Sequence, residues 1–287
     1  MKPPPFTYLR ARTLEEALDA LAQQGAVALA GGQTLIPLLN FGDLAPATLV
    51  DINALPALGA IEETPEGLAV GALARHAQVE SSPVVRRRCP PLAAAARLVA
   101  HPPVRARGTF GGSLAHGHPC AELTAVVAAA GGQIELRGAH GSRTVDHTAF
   151  AHGTFDRALA PGELITGVRL PAMDGAAWGV HEITRRTREY AMAGAVAALA
   201  VDRGVIARAR VALFGVEAAP RRIGTVEELL VGAPLVDAAS IAVADAARDA
   251  AVPRDDPDGD SPDYRRHLAG VAIGRAVAEA VDRGAHT

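Results

Sequence analysis

Two Gly-Gly pairs constrain this chain more than any other feature. They are Ala30-Gly31-Gly32-Gln33-Thr34-Leu35 near the start and Thr109-Phe110-Gly111-Gly112-Ser113-Leu114 about eighty residues later. Each pair stands beside a hydroxyl residue and follows an apolar or small-residue stretch. A backbone without Cβ atoms turns tightly, approaches an anion closely and aims successive N–H groups at it. Taken singly, each pair reads as a tight turn. Taken together, they read as two halves of one diphosphate cradle. The spacing argues against a Rossmann domain and a P-loop NTPase, because no G-x-G-x-x-G follows residues 27–30 and no G-x-x-x-x-G-K-[ST] occurs anywhere.

Composition sets the outer bounds. At 287 residues the chain exceeds the usual span of one domain, so two are expected, one of them with a full core. Its 49% hydrophobic and 21% charged residues are ordinary for a soluble globular protein, and a net charge of −3 gives no pull toward nucleic acid or an anionic membrane. Cys89 and Cys120 are the only cysteines. Two thiols alone hold neither an iron–sulfur cluster nor a structural zinc, and they outline no exported disulfide framework. The opening Met-Lys-Pro-Pro-Pro-Phe has no apolar core of signal-peptide length, and no charge-free apolar run approaches a membrane span. The expectation is a cytoplasmic protein with neither membrane insertion nor nucleic-acid binding.

Thr13-Leu14-Glu15-Glu16 has the pattern of a capping box, and Leu14, Ala17, Leu18 and Leu21 continue at helical spacing. Gly25 ends that helix, and residues 27–30 read as a buried strand running into the first glycine pair. Further strands are expected over 49–52, 68–73, 133–136 and 164–170. Helices are expected from Ser82-Pro83, over 92–99 and over 123–130. The small residues 172–177, which include Asp174-Gly175, form the best linker. Beyond them lie apolar segments at 181–184, 191–201 and 205–216, the last alternating like a half-buried strand. An acidic, turn-rich loop over 253–260 separates two closing helices, one over 238–250 and one opening at Ser261-Pro262. This order predicts an α+β chain in two domains.

Residues 109–123 read Thr-Phe-Gly-Gly-Ser-Leu-Ala-His-Gly-His-Pro-Cys-Ala-Glu-Leu. This closely resembles the second FAD motif in the flavoprotein subunit of molybdenum hydroxylases, the family that includes the xanthine dehydrogenase FAD subunits. Within that family it looks most like the medium subunit of aerobic carbon-monoxide-dehydrogenase-type enzymes. Ala30-Gly31-Gly32-Gln33-Thr34-Leu35-Ile36-Pro37 resembles the first motif. Leu49-Val50-Asp51-Ile52-Asn53, Gly71-Ala72-Leu73, His101-Pro102, residues 105–108, Leu213-Phe214-Gly215-Val216 and Asp263-Tyr264-Arg265-Arg266 agree, so the resemblance covers nearly the whole length.

The resemblance implies an FAD-binding domain of the vanillyl-alcohol-oxidase type over residues 1–172, in subdomains of about 1–55 and 56–172. A smaller α+β domain of the CO dehydrogenase flavoprotein C-terminal type follows over 177–287, with FAD between the two. By that similarity, the backbone of Leu29, Ala30, Gly31, Gly32, Gln33, Thr34 and Leu35 holds one side of the diphosphate. Thr109, Gly111, Gly112 and Ser113 hold more of the diphosphate and the ribityl region. Neutral N–H and O–H donors are sufficient for a buried diphosphate. Glu122 matches an acidic residue that bonds sugar hydroxyls of the cofactor; it reads equally as a helix N-terminal glutamate serving the dipole. Val99 and Ile165 match positions packed near the adenine, or else are plain core. Tyr190 matches a residue lying over the flavin near N5, where an aromatic ring shields the flavin and gates acceptor access; a partly buried core tyrosine is the alternative. His181 matches a position near the flavin edge that is often Lys in xanthine dehydrogenases, or is a strand histidine bonded to backbone.

The function so implied is electron transfer, with no catalytic acid or base and no metal on this chain. A molybdopterin-binding large subunit oxidises substrate, a small subunit carries two [2Fe–2S] clusters, and electrons reach the FAD held here before passing to an external acceptor. The implied assembly is a dimer of heterotrimers. Two alternatives share the fold: a self-contained FAD oxidoreductase, and a cofactor-free assembly subunit. Several residues depart from the family pattern. His118 stands where many relatives have Asp, Ser113 replaces a frequent Asn, Thr34 a frequent Ser, and Phe110 a smaller aliphatic residue. By the same resemblance His118 would set an imidazole near the flavin, where it could change redox potential or acceptor choice. His116, His118 and Cys120 gather no further ligand by sequence, and Pro119 constrains their loop, which argues against a metal.

Overall fold

The computed structural model describes residues 2–240, 242–255 and 259–284. Ile241, inside the helix expected over 238–250, and residues 256–258, inside the expected acidic loop, lie outside the described residues, as do the last three.

The chain opens with β1 (Thr7–Arg10), α1 (Leu14–Leu21), β2 (Ala26–Leu29), α2 (Leu35–Phe41) and β3 (Thr48–Asp51). The strands form a three-stranded parallel sheet in the order β1-β3-β2. Parallel neighbours need crossovers, and α1 and α2 supply them. Thr13 caps α1 as its sequence predicts, Oγ1 accepting from Glu16 N at 3.1 Å. The Glu16 carboxylate accepts from Arg12 N at 2.7 Å, one residue before the usual partner in a capping box. Leu18 and Leu21 bury against Val50 and Ile52, giving this small sheet its own core.

A long middle section follows: β4 (Ile61–Thr64), β5 (Gly67–Gly71), α3 (His76–Ser81), α4 (Pro83–Arg88), α5 (Pro90–Leu98), α6 (Pro102–Arg107), α7 (Phe110–His116), α8 (Glu122–Ala130), β6 (Gln133–Gly138), β7 (Gly141–Asp146), α9 (His147–Phe150), β8 (Ala151–Gly153), β9 (Asp156–Arg157) and β10 (Leu164–Pro171). Five of these strands form an antiparallel sheet in the order β4-β5-β10-β6-β7. One sequence expectation changes here. Residues 109–114 are not a free turn but the start of α7. Thr109 is its N-cap, with Oγ1 accepting from Gly112 N at 3.2 Å, so Gly111 and Gly112 lie in the first helical turn. A hydroxyl three residues upstream satisfies an otherwise orphaned N–H, and that bond selects helix over a looser turn.

The last section contains β11 (Ala177–Ile183), β12 (Ala193–Asp202), β13 (Val205–Phe214), β14 (Arg221–Arg222), α10 (Gly224–Leu230), a 3-10 turn (Leu235–Ser240), α11 (Val243–Ala250) and α12 (Pro262–Gly284). Its four strands form an antiparallel meander in sequence order. One face is covered by α12, where Leu268, Ile273 and Val277 pack with Leu199, Val211 and Leu213. The other face is covered by α8. This helix is buried from Leu123 to Ala130, and it shares one core with Ile134 and Val168 on one side and Val196 and Phe214 on the other. A helix apolar on every side belongs between layers. Helix α8 therefore joins the five-stranded sheet to the four-stranded one, and the residues at its N-terminal end lie where those layers meet.

Candidate functional site

The two glycine pairs come together. Residues 30–34 link β2 to α2, and a Cβ added at Gly31 would stand 2.3 Å from Arg107 O and 3.0 Å from Gly108 Cα. No side chain fits there, so Gly31 brings the first turn against the segment that leads into the second pair. Gly32 has φ of +72°, the left-handed region that L side chains seldom adopt.

A polar brace holds the contact. The Arg75 guanidinium donates to Asn53 Oδ1 at 2.7 Å and to the Arg107 carbonyl. The Asn53 amide donates to Ala30 O at 2.9 Å and to Asp51 Oδ1 at 2.6 Å, while Tyr8 OH donates to Asp51 Oδ2 at 2.6 Å. Burial works to raise the Asp51 carboxyl pKa, but the bonds from Tyr8 and Asn53 outweigh it and hold the carboxyl below its usual range. Residues 72–76 run alongside 108–111: Gly111 N donates to Ala72 O at 2.8 Å, Phe110 N to Ala74 O at 2.9 Å and His76 N to Gly108 O at 3.1 Å. Both glycine pairs are thus hung from the stretch that opens α3.

The two pairs differ in what they present. Among the described residues, the main-chain N–H groups of Gly31, Gly32, Gln33, Thr34 and Leu35 donate to no protein acceptor. Five successive free donors, with a left-handed residue among them, are a donor set of the kind that binds an anion. At the second pair the N–H groups of Phe110, Gly111, Gly112 and Ser113 are all committed within the protein. What that pair has to present is hydroxyl groups, of which Ser113 is half-buried and Thr109 is 2% exposed.

A second group of residues gathers around the N-terminal end of α8. The rings of His118 and Tyr190 stack with centroids 4.5 Å apart, and His116 lies 5.2 Å from His118 and 5.0 Å from Phe155. Tyr190 is 72% exposed, so its outer face is open. Burial, then the neighbouring His116 and Arg254, push the His118 pKa down to about 4, leaving the ring neutral at physiological pH. Cys120 Sγ donates to Ala191 O at 3.0 Å and is tied down as structure. Burial, with the nearby Glu182 charge adding to it, pushes the Glu122 pKa up to about 8. Burial alone pushes Glu182 to about 7, and among the described residues its Oε2 is enclosed without a hydrogen-bond partner. Among the described residues no three His, Cys, Asp or Glu side chains stand together as a metal-holding set.

The remaining sequence-predicted positions divide. Ile165, 3% exposed, belongs to the main core, and half-buried Val99 packs against that same core. Val99 is followed by Ala100 with φ of +39°, whose carbonyl accepts from Arg105 at 2.8 Å and from Arg188, itself at φ +71°, at 3.2 Å. Two strained residues bridged across the chain in this way are held by their surroundings. His181 is not brought to the cluster. Its Nδ1 lies 3.0 Å from Glu279 Oε1 and its Nε2 3.2 Å from Arg275 Nη1, both on α12. Successive strand residues face opposite ways, so Glu182 takes the side toward Glu122. Sequence reasoning missed Glu182, Asn53 as a brace, Arg75 and His76. The period-two pattern along β11 was the available signal for the first, and no local signal marks the other three.

Residues 4–173 match the family described as FAD binding domain in molybdopterin dehydrogenase, and residues 178–280 match the CO dehydrogenase flavoprotein C-terminal domain. The chain belongs to the FAD-binding medium subunits of the molybdenum hydroxylase family. It is 36% identical to the 6-hydroxypseudooxynicotine dehydrogenase complex subunit alpha of Paenarthrobacter nicotinovorans, over 100% of this chain and 98% of that one. It is 37% identical to the carbon monoxide dehydrogenase medium chain of Hydrogenophaga pseudoflava, over 96% and 97%. The solved quinoline 2-oxidoreductase of Pseudomonas putida 86 contains a chain that superposes with a TM-score of 0.93 at 34% identity, covering 99% of each. The medium subunit binds FAD, and the donor set accords with that cofactor. A row of free main-chain N–H groups together with side-chain hydroxyls is the kind of uncharged donor set that suits a diphosphate without lysine.

Proposed function

We propose that this chain is the electron-transfer subunit of a molybdenum-dependent hydroxylase or dehydrogenase complex. It receives electrons from the iron–sulfur clusters of a [2Fe–2S] small subunit, downstream of a molybdopterin-binding large subunit, and delivers them to an external acceptor. The observation that supports this best is the row of free N–H groups at 31–35, braced through Arg75 against the start of α7. In this reading Leu29 to Leu35 hold the diphosphate, while Thr109 and Ser113 reach the diphosphate and ribityl chain from the opposite side. Glu122, protonated in the neutral range while the site lacks cofactor, both donates to and accepts from a sugar hydroxyl. Tyr190, backed by His118, lies over the flavin and limits access to it. Val99 borders the adenine, and Ile165 acts as core. Bound FAD supplies the redox chemistry. The chain divides at 172–177 into an FAD-binding domain over 1–172 and a C-terminal domain over 177–287, functions in the cytoplasm, and assembles as a dimer of heterotrimers. Among the described residues no helix is long and apolar enough to cross a membrane.

Two measurements test this. After FAD addition and desalting, the wild-type chain is expected to retain flavin absorbance, and Gly32→Asp, which sets a carboxylate into the N–H row, is expected to lose it. In the assembled complex, reduction of an external acceptor should fall with flavin content while substrate still reduces the iron–sulfur clusters. Full-rate acceptor reduction by a flavin-free Gly32→Asp complex would overturn the electron-transfer role.

A further inference from the structure

His76 is a buried histidine beside the second glycine pair. It is 5% exposed, opens α3, and follows Arg75 directly. Its Nε2 lies 3.0 Å from the Thr109 carbonyl and 3.0 Å from Ser113 Oγ. Its Nδ1 is enclosed with no hydrogen-bond partner among the described residues, and faces Gly108 so closely that a Cβ there would stand 2.8 Å away.

These contacts determine the tautomer. A carbonyl oxygen only accepts, so the nitrogen facing Thr109 O must carry the proton. The opposite tautomer would set two lone pairs against each other and leave an Nδ1–H donor buried without an acceptor, and both are unfavourable. The doubly protonated ring is disfavoured as well. Burial, and after it the charges of Arg105 and Arg75, push the His76 pKa down to about 4 against the pull of the Thr109 carbonyl. The ring is therefore neutral, with Nε2–H shared between Thr109 O and Ser113 Oγ.

The His76 tautomer constrains Ser113. Its oxygen accepts from a nitrogen that has no lone pair to give back, so its own proton cannot be spent on His76. Among the described residues Ser113 Oγ has no other partner. We propose that His76 is a positioning residue for the cofactor: as the Nε2–H tautomer it fixes the Ser113 oxygen and keeps the Ser113 hydroxyl proton free to be donated to FAD. This rests on the placement of Ser113 against FAD. It also pairs His76 with Arg75, one residue bracing the first glycine turn and the next orienting the donor of the second.

The test is a double-mutant cycle on the full chain, read as FAD affinity by quenching of flavin fluorescence, with nitrogen-15 NMR of the His76 ring alongside. His76→Leu, which has no donor, is expected to weaken FAD about tenfold, equivalent to ~1.4 kcal/mol. In the Ser113→Ala background the same change should cost less than about twofold, because its target is gone. His76→Gln, whose side-chain amide restores an N–H at a similar reach, should recover most of the affinity. The NMR signature should be a protonated Nε2 and a bare Nδ1, and it is readable without cofactor and in a chain carrying no substitution. A loss that persists undiminished in Ser113→Ala, or an Nδ1–H tautomer, overturns the proposal while leaving Ser113 in the FAD site. If Ser113→Ala alone binds FAD like wild type, the placement of Ser113 fails, and the proposal with it.

Discussion

At the scale of single residues, the site depends on positions whose side chains do little chemistry. Gly31 is required because its Cα touches the backbone ahead of the second glycine pair; a Cβ would lie 2.3 Å from Arg107 O. Gly31→Ala is therefore expected to push the two segments apart, costing about 1–3 kcal/mol of stability and most of the flavin retained after desalting. Thermal denaturation and the visible spectrum, measured on the same sample, check both parts. Arg75 acts through hydrogen bonds rather than charge pairing, since its partners are an amide oxygen and a carbonyl. Arg75→Met should leave the fold intact and weaken FAD binding by about tenfold, or ~1.4 kcal/mol, the range expected for losing bonds from a charged donor. An affinity equal to wild type would mean that the turns hold their positions without this brace. The glycines were legible in the sequence as punctuation, but their partners were not, because the contacts lie 22 to 76 residues apart in the chain, from Asn53 with Arg75 to Gly31 with Arg107.

At the scale of elements, alternation along β11 decides which neighbour enters the cluster at α8. His181 turns to Glu279 and Arg275 on α12, and Glu182 turns inward, where among the described residues its Oε2 meets no hydrogen-bond partner. A carboxyl whose folded pKa lies above its unfolded value binds more protons when folded, so its contribution weakens as pH rises from the unfolded pKa through the folded one. For Glu182 that window runs from the ordinary 4.5 to about 7. Glu182→Gln is thus expected to match wild-type stability near pH 4.5 and to exceed it by on the order of 1–2 kcal/mol at pH 8, after allowing for partial solvent contact. Denaturant titrations of the FAD-free chain at the two pH values check the sign; a gap that shrinks with rising pH contradicts it. The helical start of α7 belongs to this scale too. Its sequence reads as a glycine turn, yet the Thr109 cap converts it into a first helical turn and uses up the N–H groups that a free turn would have left for a ligand.

At the scale of the whole molecule, α8 joins the middle and last sections through a shared core, although the last section also has a core of its own under α12. One core runs from Ile134 and Val168 through Leu123 and Val126 to Val196 and Phe214. Phe214 is fully buried and fills the space over Gly194, where a Cβ would collide with its ring. Phe214→Ala is expected to cost about 3–5 kcal/mol and to destabilise both sections together. Calorimetry should therefore show one transition moving down in temperature; two separated transitions would mean that the sections do not share a cooperative core.

By itself the sequence determined the family, the two-part α+β order and the presence of two glycine pairs beside hydroxyls. These are written locally, in the glycines at 31, 32, 111 and 112, in the Thr13 capping pattern and in the alternation over 205–213. Tertiary structure alone decided that the pairs contribute unequally, the first with free main-chain donors and the second with hydroxyls. It also decided that Arg75 ties the first pair to the segment leading into the second, that His76 bonds to Thr109 and Ser113 at the second, and that Glu182 rather than His181 faces the cluster. The physical reason is range: helix caps and strand periods are set by neighbours a few residues apart, whereas hydrogen-bond partners and uncompensated buried charge depend on which distant segments share a space.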